Sequence, residues 1–228
     1  MDRQPESSAE QLTAQMAGRA CLEAAVIERP RFDALLSELS TQFMNLPASA
    51  LDHEITYGLQ RLAECLDVQQ GMLFELSEEV SRMRATHTWM VSSRACIMPV
   101  RLDHLPWVFD KLHRGETVQL SHDGDAPAEA AGTNEEIRQC GMYSAVIIPL
   151  AVAGFTTRAI ALATRRTESV WPNGVVQQIR LVGEIFANAL SRAQAYELFQ
   201  AATSQLSLLQ ASLHRNEPTP LDAVSEAA

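Results

Sequence analysis

The chain has 228 residues, a formal net charge of −10 and a hydrophobic fraction of 46%. That length accommodates one domain with helical extensions, and that hydrophobic content is enough for a packed core. An acidic chain without a basic cluster repels phosphate backbones, and no apolar run reaches the roughly 18 residues of a membrane helix. Direct nucleic-acid binding and a membrane span are therefore not expected.

The N-terminus and the cysteines predict a cytoplasmic protein. The first residues, MDRQPESSAEQ, are polar and lack the apolar core of a signal peptide. The cysteines are widely spaced and form no CxxC pair: Cys21, Cys65, Cys96 and Cys140. Reduced thiols are the ordinary state of such isolated cysteines in a cytoplasm.

The first part of the chain shows three helical patterns followed by two strands. The composition of Leu12–Glu28 favours a helix that Pro30 interrupts, and a second helix carries Phe32, Leu35, Leu36, Leu39 and Phe43 on one side. Ser49 is a candidate N-cap, with Asp52 three residues later, for a third helix with the stripe Leu51, Ile55, Leu59, Leu62 and Leu66. Two strand patterns follow, GMLFEL at 71–76 and RMRATHTWM at 82–90.

Loops, short helices and a short strand are predicted next. Residues 91–104 show no period and are expected to form a loop, and 121–132 form an acidic one. Leu105–His113 is predicted to be a helix that ends at Gly115, and Thr117–Leu120 a short strand. Thr133 is a candidate cap for a helix that ends at Gly141.

A hairpin and a long helix complete the pattern. Tyr143–Val152 is almost continuously apolar, as in a central strand, and Ala153-Gly154 turns the chain back into Thr156–Thr164. The order of elements predicts an α+β fold with a mainly antiparallel sheet and helices on one face.

The C-terminal helix carries an apolar seam that is longer than a domain of this size can cover. Its members recur at steps of three and four: Val175, Ile179, Val182, Phe186, Ala189, Ala193 and Tyr196. Phe199, Leu206, Leu209 and Leu213 continue it. Such a seam is most simply buried on a second copy of itself. We therefore expect a homodimer with Val182, Phe186, Ala189, Ala193, Tyr196 and Phe199 at the interface.

Five segments together resemble a GAF domain of the type found in bacterial sensor kinases and signalling regulators. They are FDALLSELSTQFMNLP (32–47), THTWM (86–90), LPWVFDKLHRGETVQL (105–120), GMYSAVIIPLAVAG (141–154) and WPNGVVQQIRLVGEIFANAL (171–190). The resemblance implies a central antiparallel sheet with the terminal helices on one face, a small-molecule pocket over the other face, and dimerisation through the terminal helices. The corresponding domains are a segment with a helix at 1–30, a sensory domain at 31–196 and a helical extension with a tail at 197–228.

Four residues in the expected pocket region are candidates for ligand binding: Trp89, His87, Trp107 and Tyr143. Aromatic rings supply flat apolar walls with one polar group each. His87 alternates with Trp89, so both are expected on one face of their strand. No histidine spacing forms a metal pair, so no metal site is predicted, and the sequence does not identify a cofactor or haem.

These features predict a non-catalytic sensory module that passes its output to a separate protein, either a kinase or a transcription regulator. One alternative is a dimeric adaptor without a ligand, whose pocket is filled by its own side chains. A second is a redox enzyme similar to the free-methionine-sulfoxide reductases, which would use Cys96 and Cys140 as a reactive and a resolving thiol.

Overall fold

The computed structural model describes residues 29–77, 82–91, 106–121, 143–165 and 171–215. The helices are α1 (29–44), α2 (Leu51–Cys65), α3 (Pro106–His113) and α4 (Asn173–Arg215), with a short 3-10 turn at Ala48–Ala50. The strands are β1 (Gln70–Ser77), β2 (Arg82–Met90), β3 (Val118–Ser121), β4 (Ser144–Val152) and β5 (Phe155–Thr164). The chain divides into two compact units, Met1–Ala189 and Leu190–Ala228.

The five strands form one antiparallel sheet in the order β2-β1-β5-β4-β3. The strand β4 lies between β5 and β3, which confirms that the apolar run starting near Tyr143 is an inner strand. An inner strand with helices on both faces must be apolar on both faces, as the burial of Ser144–Leu150 shows. The predicted α+β class is therefore confirmed.

One face of the sheet, called here the helical face, is covered by α1, α2 and the first part of α4. Val182 and Phe186 of α4 are fully buried there, and the Phe186 ring lies 5.1 Å from that of Phe43 on α1. A Cβ atom at Gly58 on α2 would come within 2.6 Å of the Phe186 ring. The three helices thus meet at close range, which requires a small residue at the crossing.

The other face, called here the α3 face, carries a second apolar core under α3. Its members are Met72, Phe74, Leu76 and Met83 on β1 and β2, Val118, Leu120, Ala145, Ile147, Ala159, Ala161 and Ala163 on β3 to β5, and Val108, Phe109 and Leu112 on α3. The strand alternation assigns residues to the two faces: Met72 and Phe74 face α3, while Leu73 faces the other helices.

Turns with left-handed backbone conformations set the ends of two elements. Gly115 (φ 77°) ends α3, where its N–H donates to Leu112 and the N–H of Glu116 donates to the Lys111 carbonyl, both at 2.9 Å. This is a Schellman arrangement, and it confirms the predicted helix end. Ala153 (φ 52°) and Gly154 (φ 87°) form the two-residue turn between β4 and β5, as predicted.

The predicted cap of α2 is wrong. The helix begins at Leu51, its N-cap residue is Ala50, and no side chain caps it. Ser49 lies in the preceding 3-10 turn, and Asp52 contacts His87 on β2 instead. The helices predicted at Leu12–Glu28 and Thr133–Gly141, and the loops at 92–104 and 122–132, lie outside the described residues.

Candidate functional site

A buried glutamine is the most unusual feature of the α3 face. Gln70 begins β1, is 0% exposed and lies in register with Ala163 of β5. Its Nε2 donates to the Met72 sulfur at 3.4 Å, while its Oε1 has no hydrogen-bond partner among the residues that the structure describes. Because thioether sulfur is a weak acceptor, the whole carboxamide is poorly satisfied. Leaving such a buried acceptor unpaired costs about 1–3 kcal/mol.

The surroundings of Gln70 are small and apolar. Ala161 and Ala163 continue along β5, and Ala145 lies beside Ala163 on β4. Thr157, at the bulge in the β4–β5 pairing, has a second buried side-chain oxygen without a hydrogen-bond partner among the described residues. The alanine row of β5 thus lies between two polar side chains that each have a buried oxygen without a described partner, and the α3 core covers it.

The neighbouring residue, Gln69, has a hydrogen-bonded side chain because it points to the opposite face of the sheet. The Gln69 side chain points to the other side, and its Oε1 accepts from the Thr164 hydroxyl at 3.0 Å and from the Arg165 N–H at 2.8 Å. Gln70 was not among the predicted site residues. The available signal was a polar residue at an inward position of an otherwise apolar strand, but the sequence alone does not reveal whether such a residue has a partner.

The four predicted ligand residues lie on two faces of the sheet. His87 and Trp89 do share a face, but it is the helical face: Trp89 is in register with Gly71, whose Cβ position points at Leu59 of α2. Trp107 lies on the other face, partly buried against the α3 core. Tyr143 precedes β4, in the same alternation as Ala145, and its N–H donates to the Thr164 carbonyl at 2.8 Å. Their roles in ligand binding stay predictions.

His87 is held by hydrogen bonds on both ring nitrogens. Its Nε2 lies 3.1 Å from Asp52 Oδ1 and its Nδ1 lies 2.9 Å from Thr86 Oγ1. Thr86 sits at a bulge in the β1–β2 pairing, and its hydroxyl donates to the Leu73 carbonyl. This arrangement fixes the imidazole against α2, so it joins β2 to the helix in the folded protomer.

Arg158 is a buried cation on β5, opposite Glu75 in the register with β1. Burial lowers the pKa of the guanidinium, and the Glu75 carboxylate opposes that shift. Glu75 also accepts a hydrogen bond from Arg84 of β2 at 2.6 Å. These charges link three adjacent strands.

The predicted dimer residues fall into two groups. Val182, Phe186 and Ala189 are buried by the protomer's own core. Their place at a dimer interface stays a prediction, and in the single chain these three side chains are already covered. Ala193 is half-buried, and Tyr196 and Phe199 are exposed.

The candidate metal ligands and thiols are only partly covered by the described residues. Within them, no group of three or more His, Cys, Asp or Glu side chains is arranged to hold a metal ion. Cys65 is half-buried, and Cys96 and Cys140 lie outside the described residues. Among the described helices, none is long and apolar enough to cross a membrane.

Comparison with known proteins identifies the fold. No family model and no curated protein matches this sequence. The structure resembles the phycoerythrobilin-bound GAF domain of a cyanobacterial phytochrome, with a TM-score of 0.59, 11% identity, and 73% of this chain and 97% of that chain covered. It also resembles the GAF domain of an Acinetobacter phosphoenolpyruvate-protein phosphotransferase, with a TM-score of 0.53, 13% identity, and 73% and 97% covered.

A third similar structure is the GAF domain of a protein described as a sensor histidine kinase from Pseudomonas syringae pv. tomato. Here the TM-score is 0.51, the identity 14%, and the coverage 79% of this chain and 99% of that chain. In all three cases nearly the whole of the other domain is matched, while the sequence identity is low. The likeness therefore establishes the fold alone: this chain folds as a GAF domain.

Proposed function

We propose that the chain is a non-catalytic sensory or regulatory module that binds a small molecule on the α3 face and signals as a homodimer through α4. The GAF fold, which is typical of such modules, supports the general class. The observation that carries the ligand proposal is Gln70, a fully buried side chain whose carboxamide oxygen has no hydrogen-bond partner in the described part of the chain.

The chemistry of Gln70 defines the kind of ligand. A carboxamide oxygen accepts hydrogen bonds, so the ligand would present an N–H or O–H group to it. The adjacent alanines are covered by the α3 core, against which Trp107 packs, so a ligand with a flat apolar surface, such as a ring, would reach them only by displacing part of that core. Binding would then remove the cost of the unpaired oxygen, which favours the liganded state over the empty one.

The exposed apolar side chains of α4 support the homodimer. Tyr196, Phe199 and Leu206 are all exposed in the single chain. Burying one such side chain stabilises an assembly by about 1.5–3 kcal/mol. A separate kinase or transcription regulator would receive the output of this dimer, because a change in helix packing is a signal that a second protein can detect.

The test compares Gln70→Met with Gln177→Met, the same change at an exposed position of α4. Native mass spectrometry of the parent, purified from its expression host, should show a bound small molecule, and Gln70→Met should lose it while Gln177→Met retains it. Without ligand, Gln70→Met should have a free energy of unfolding about 1–3 kcal/mol higher than that of the parent. The reason is that the substitution removes an unpaired acceptor without loss of side-chain volume. Retention of the molecule by Gln70→Met would contradict the proposed site.

A ligand-free adaptor is the second candidate, and the burial of the α3 face favours it. Met72, Ala161 and Ala163 are already covered by the protein's own atoms. If the parent shows only the mass of the bare chain and Gln70→Met gains the same stability, the adaptor becomes the better reading. Turnover of free methionine sulfoxide with a thiol reductant would instead point to the reductase-like alternative.

A further inference from the structure

Three linked hydrogen bonds connect β1, β2 and α2 through His87. The Thr86 hydroxyl donates to the Leu73 carbonyl of β1 at 3.1 Å. His87 Nδ1 lies 2.9 Å from Thr86 Oγ1, and His87 Nε2 lies 3.1 Å from Asp52 Oδ1 of α2. A hydroxyl has a single proton, so Thr86 can only accept at Nδ1, and an ionised carboxylate can only accept at Nε2. The pattern is therefore complete only when both ring nitrogens carry a proton, as in the imidazolium ion.

A neutral His87 ring would lose one of these bonds. If Nε2 loses its proton, two acceptors face each other between the ring and Asp52. If Nδ1 loses its proton, the Thr86 hydroxyl can donate to the ring only by releasing the Leu73 carbonyl. His87 is 8% exposed, so water does not readily replace the lost bond. The Asp52 side chain, in contrast, is 91% exposed, so the chain of bonds ends at a carboxylate in contact with solvent.

Other charged groups of the helices and strands on the helical face bond to partners other than His87. These pairs are Glu54 with Gln42, Glu75 with Arg84, Glu38 with Arg61, and Arg180 with the Pro149 carbonyl and the Thr117 hydroxyl. Arg158 lies opposite Glu75 in the β1–β5 register. On the first turns of α2, His53 and Tyr57 are exposed. Among the described residues, Asp52 is therefore the charged group hydrogen-bonded to the His87 ring.

We propose that Asp52, His87 and Thr86 form a proton-dependent latch that fastens β2 to α2 when His87 is protonated. Among the described strands β2 is at the end of the sheet and pairs with β1 alone, so α2 supplies its second attachment. The bulge at Thr86 brings two consecutive side chains, Thr86 and His87, into one chain of hydrogen bonds. Histidine changes its charge between about pH 5 and 8, so the proton concentration sets how firmly this strand is held. The latch involves neither the proposed ligand nor the proposed dimer.

Asp52→Asn is the main test, because asparagine can bond to either form of the ring. Its carboxamide accepts through Oδ1 from a protonated Nε2 and, after a flip, donates through Nδ2 to an unprotonated one. The variant should therefore hold β2 without the extra proton. Urea unfolding of the parent and the variant is measured at about pH 5.5 and about pH 8, on either side of the histidine titration. Between these two pH values the unfolding equilibrium constant of the parent, divided by that of Asp52→Asn, should rise roughly three- to tenfold, the effect of one hydrogen bond.

Two further variants separate the latch from simpler explanations, each compared with the same variant carrying Asp52→Asn. His53→Gln replaces the exposed histidine next to Asp52 and should leave the rise unchanged. Thr86→Val keeps a β-branched side chain at the bulge but removes the acceptor of Nδ1, so the neutral ring can bond to Asp52 without losing another bond. The rise should therefore be smaller in Thr86→Val, whereas a simple ion pair between His87 and Asp52 would keep it in full.

Three results would overturn the latch. If the parent and Asp52→Asn showed the same pH dependence, the bond between His87 and Asp52 would not require the second proton. If His53→Gln abolished the rise, the exposed histidine would be the titrating group. If Thr86→Val kept the rise in full, Thr86 would have no part and the linked pattern would be wrong. The molecule proposed to bind on the α3 face is detected separately by native mass spectrometry, so its presence or absence leaves the latch unaffected.

Discussion

Replacing Gly183 of α4 by alanine should destabilise the protein, although alanine is the better helix former. A Cβ atom at this position would lie 2.7 Å from Leu150 Cδ2, 2.9 Å from Ile160 Cγ2 and 3.0 Å from Leu150 Cδ1. Carbon atoms in contact prefer separations of about 3.5–4.0 Å. Both methyl groups of Leu150 are too close, so a rotation of its side chain exchanges one clash for another.

The magnitude follows from two opposing effects. The helix propensity of alanine favours the variant by about 0.8–1.0 kcal/mol. Overpacking a core costs about 1–3 kcal/mol, and Leu150 and Ile160 are both fully buried, so the upper half of that range applies. We therefore expect a net loss of about 1–2 kcal/mol in the free energy of unfolding, which lowers Tm by roughly 2–4 °C per kcal/mol for a chain of this size.

Gly174 provides the matched control in the same helix. A Cβ atom there would meet nothing within 4 Å, so Gly174→Ala should stabilise the protein by about 0.4–1 kcal/mol through the unfolded state. Urea unfolding followed by circular dichroism measures both variants. If Gly183→Ala were as stable as Gly174→Ala, α4 would not approach the sheet as closely as described, and the packing of the helical face would have to be reconsidered.

Two further predictions concern a turn and an ion cluster. Ala153→Gly should stabilise the protein by about 0.5–1 kcal/mol in urea unfolding, because alanine at φ 52° is strained in the left-handed region; a loss of stability would contradict that conformation. Hydrogen bonds from Lys111 and Arg114 lower the pKa of Glu116 in the folded protein, so its contribution to stability is present above the unfolded pKa of about 4.3 and is lost as pH falls through the folded pKa. Glu116→Gln should therefore be less stable than the parent at pH 7 and equally stable in strong acid. If the difference in stability between the two proteins grew towards low pH instead, the lowered pKa of Glu116 would be wrong.

The side of α4 that packs on the sheet would connect a bound ligand to this helix. At Gly183 the helix closely approaches Leu150 and Ile160 of the sheet. A shift of the sheet on ligand binding would therefore act directly on α4. Gln70 lies on the other face of the same sheet, next to Met72.

The local hydrophobic pattern of the sequence alone predicted most of the helices and strands. The strand β4 was predictable because burial on both faces demands a continuous apolar run, and the β4–β5 hairpin because Ala153-Gly154 separates two such runs. The buried stripe of α1, with Phe32, Leu39 and Phe43, follows the helical period directly. In each case the signal is carried by residues close together in the chain.

Only the tertiary structure decided which neighbouring element each side of a helix or strand packs against. Alternation places His87 and Trp89 on one face of β2, but only the packing of α2 shows that this is the helical face. The same limit explains Gln69 and Gln70: both are polar residues at a strand start, and the partner that satisfies Gln69, Thr164, is 95 residues away in the chain. The seam of α4 likewise combines buried residues, such as Val182 and Phe186, with exposed ones, such as Tyr196 and Phe199. Periodicity gives only the spacing of these apolar residues, whereas the structure shows which of them the single chain already buries.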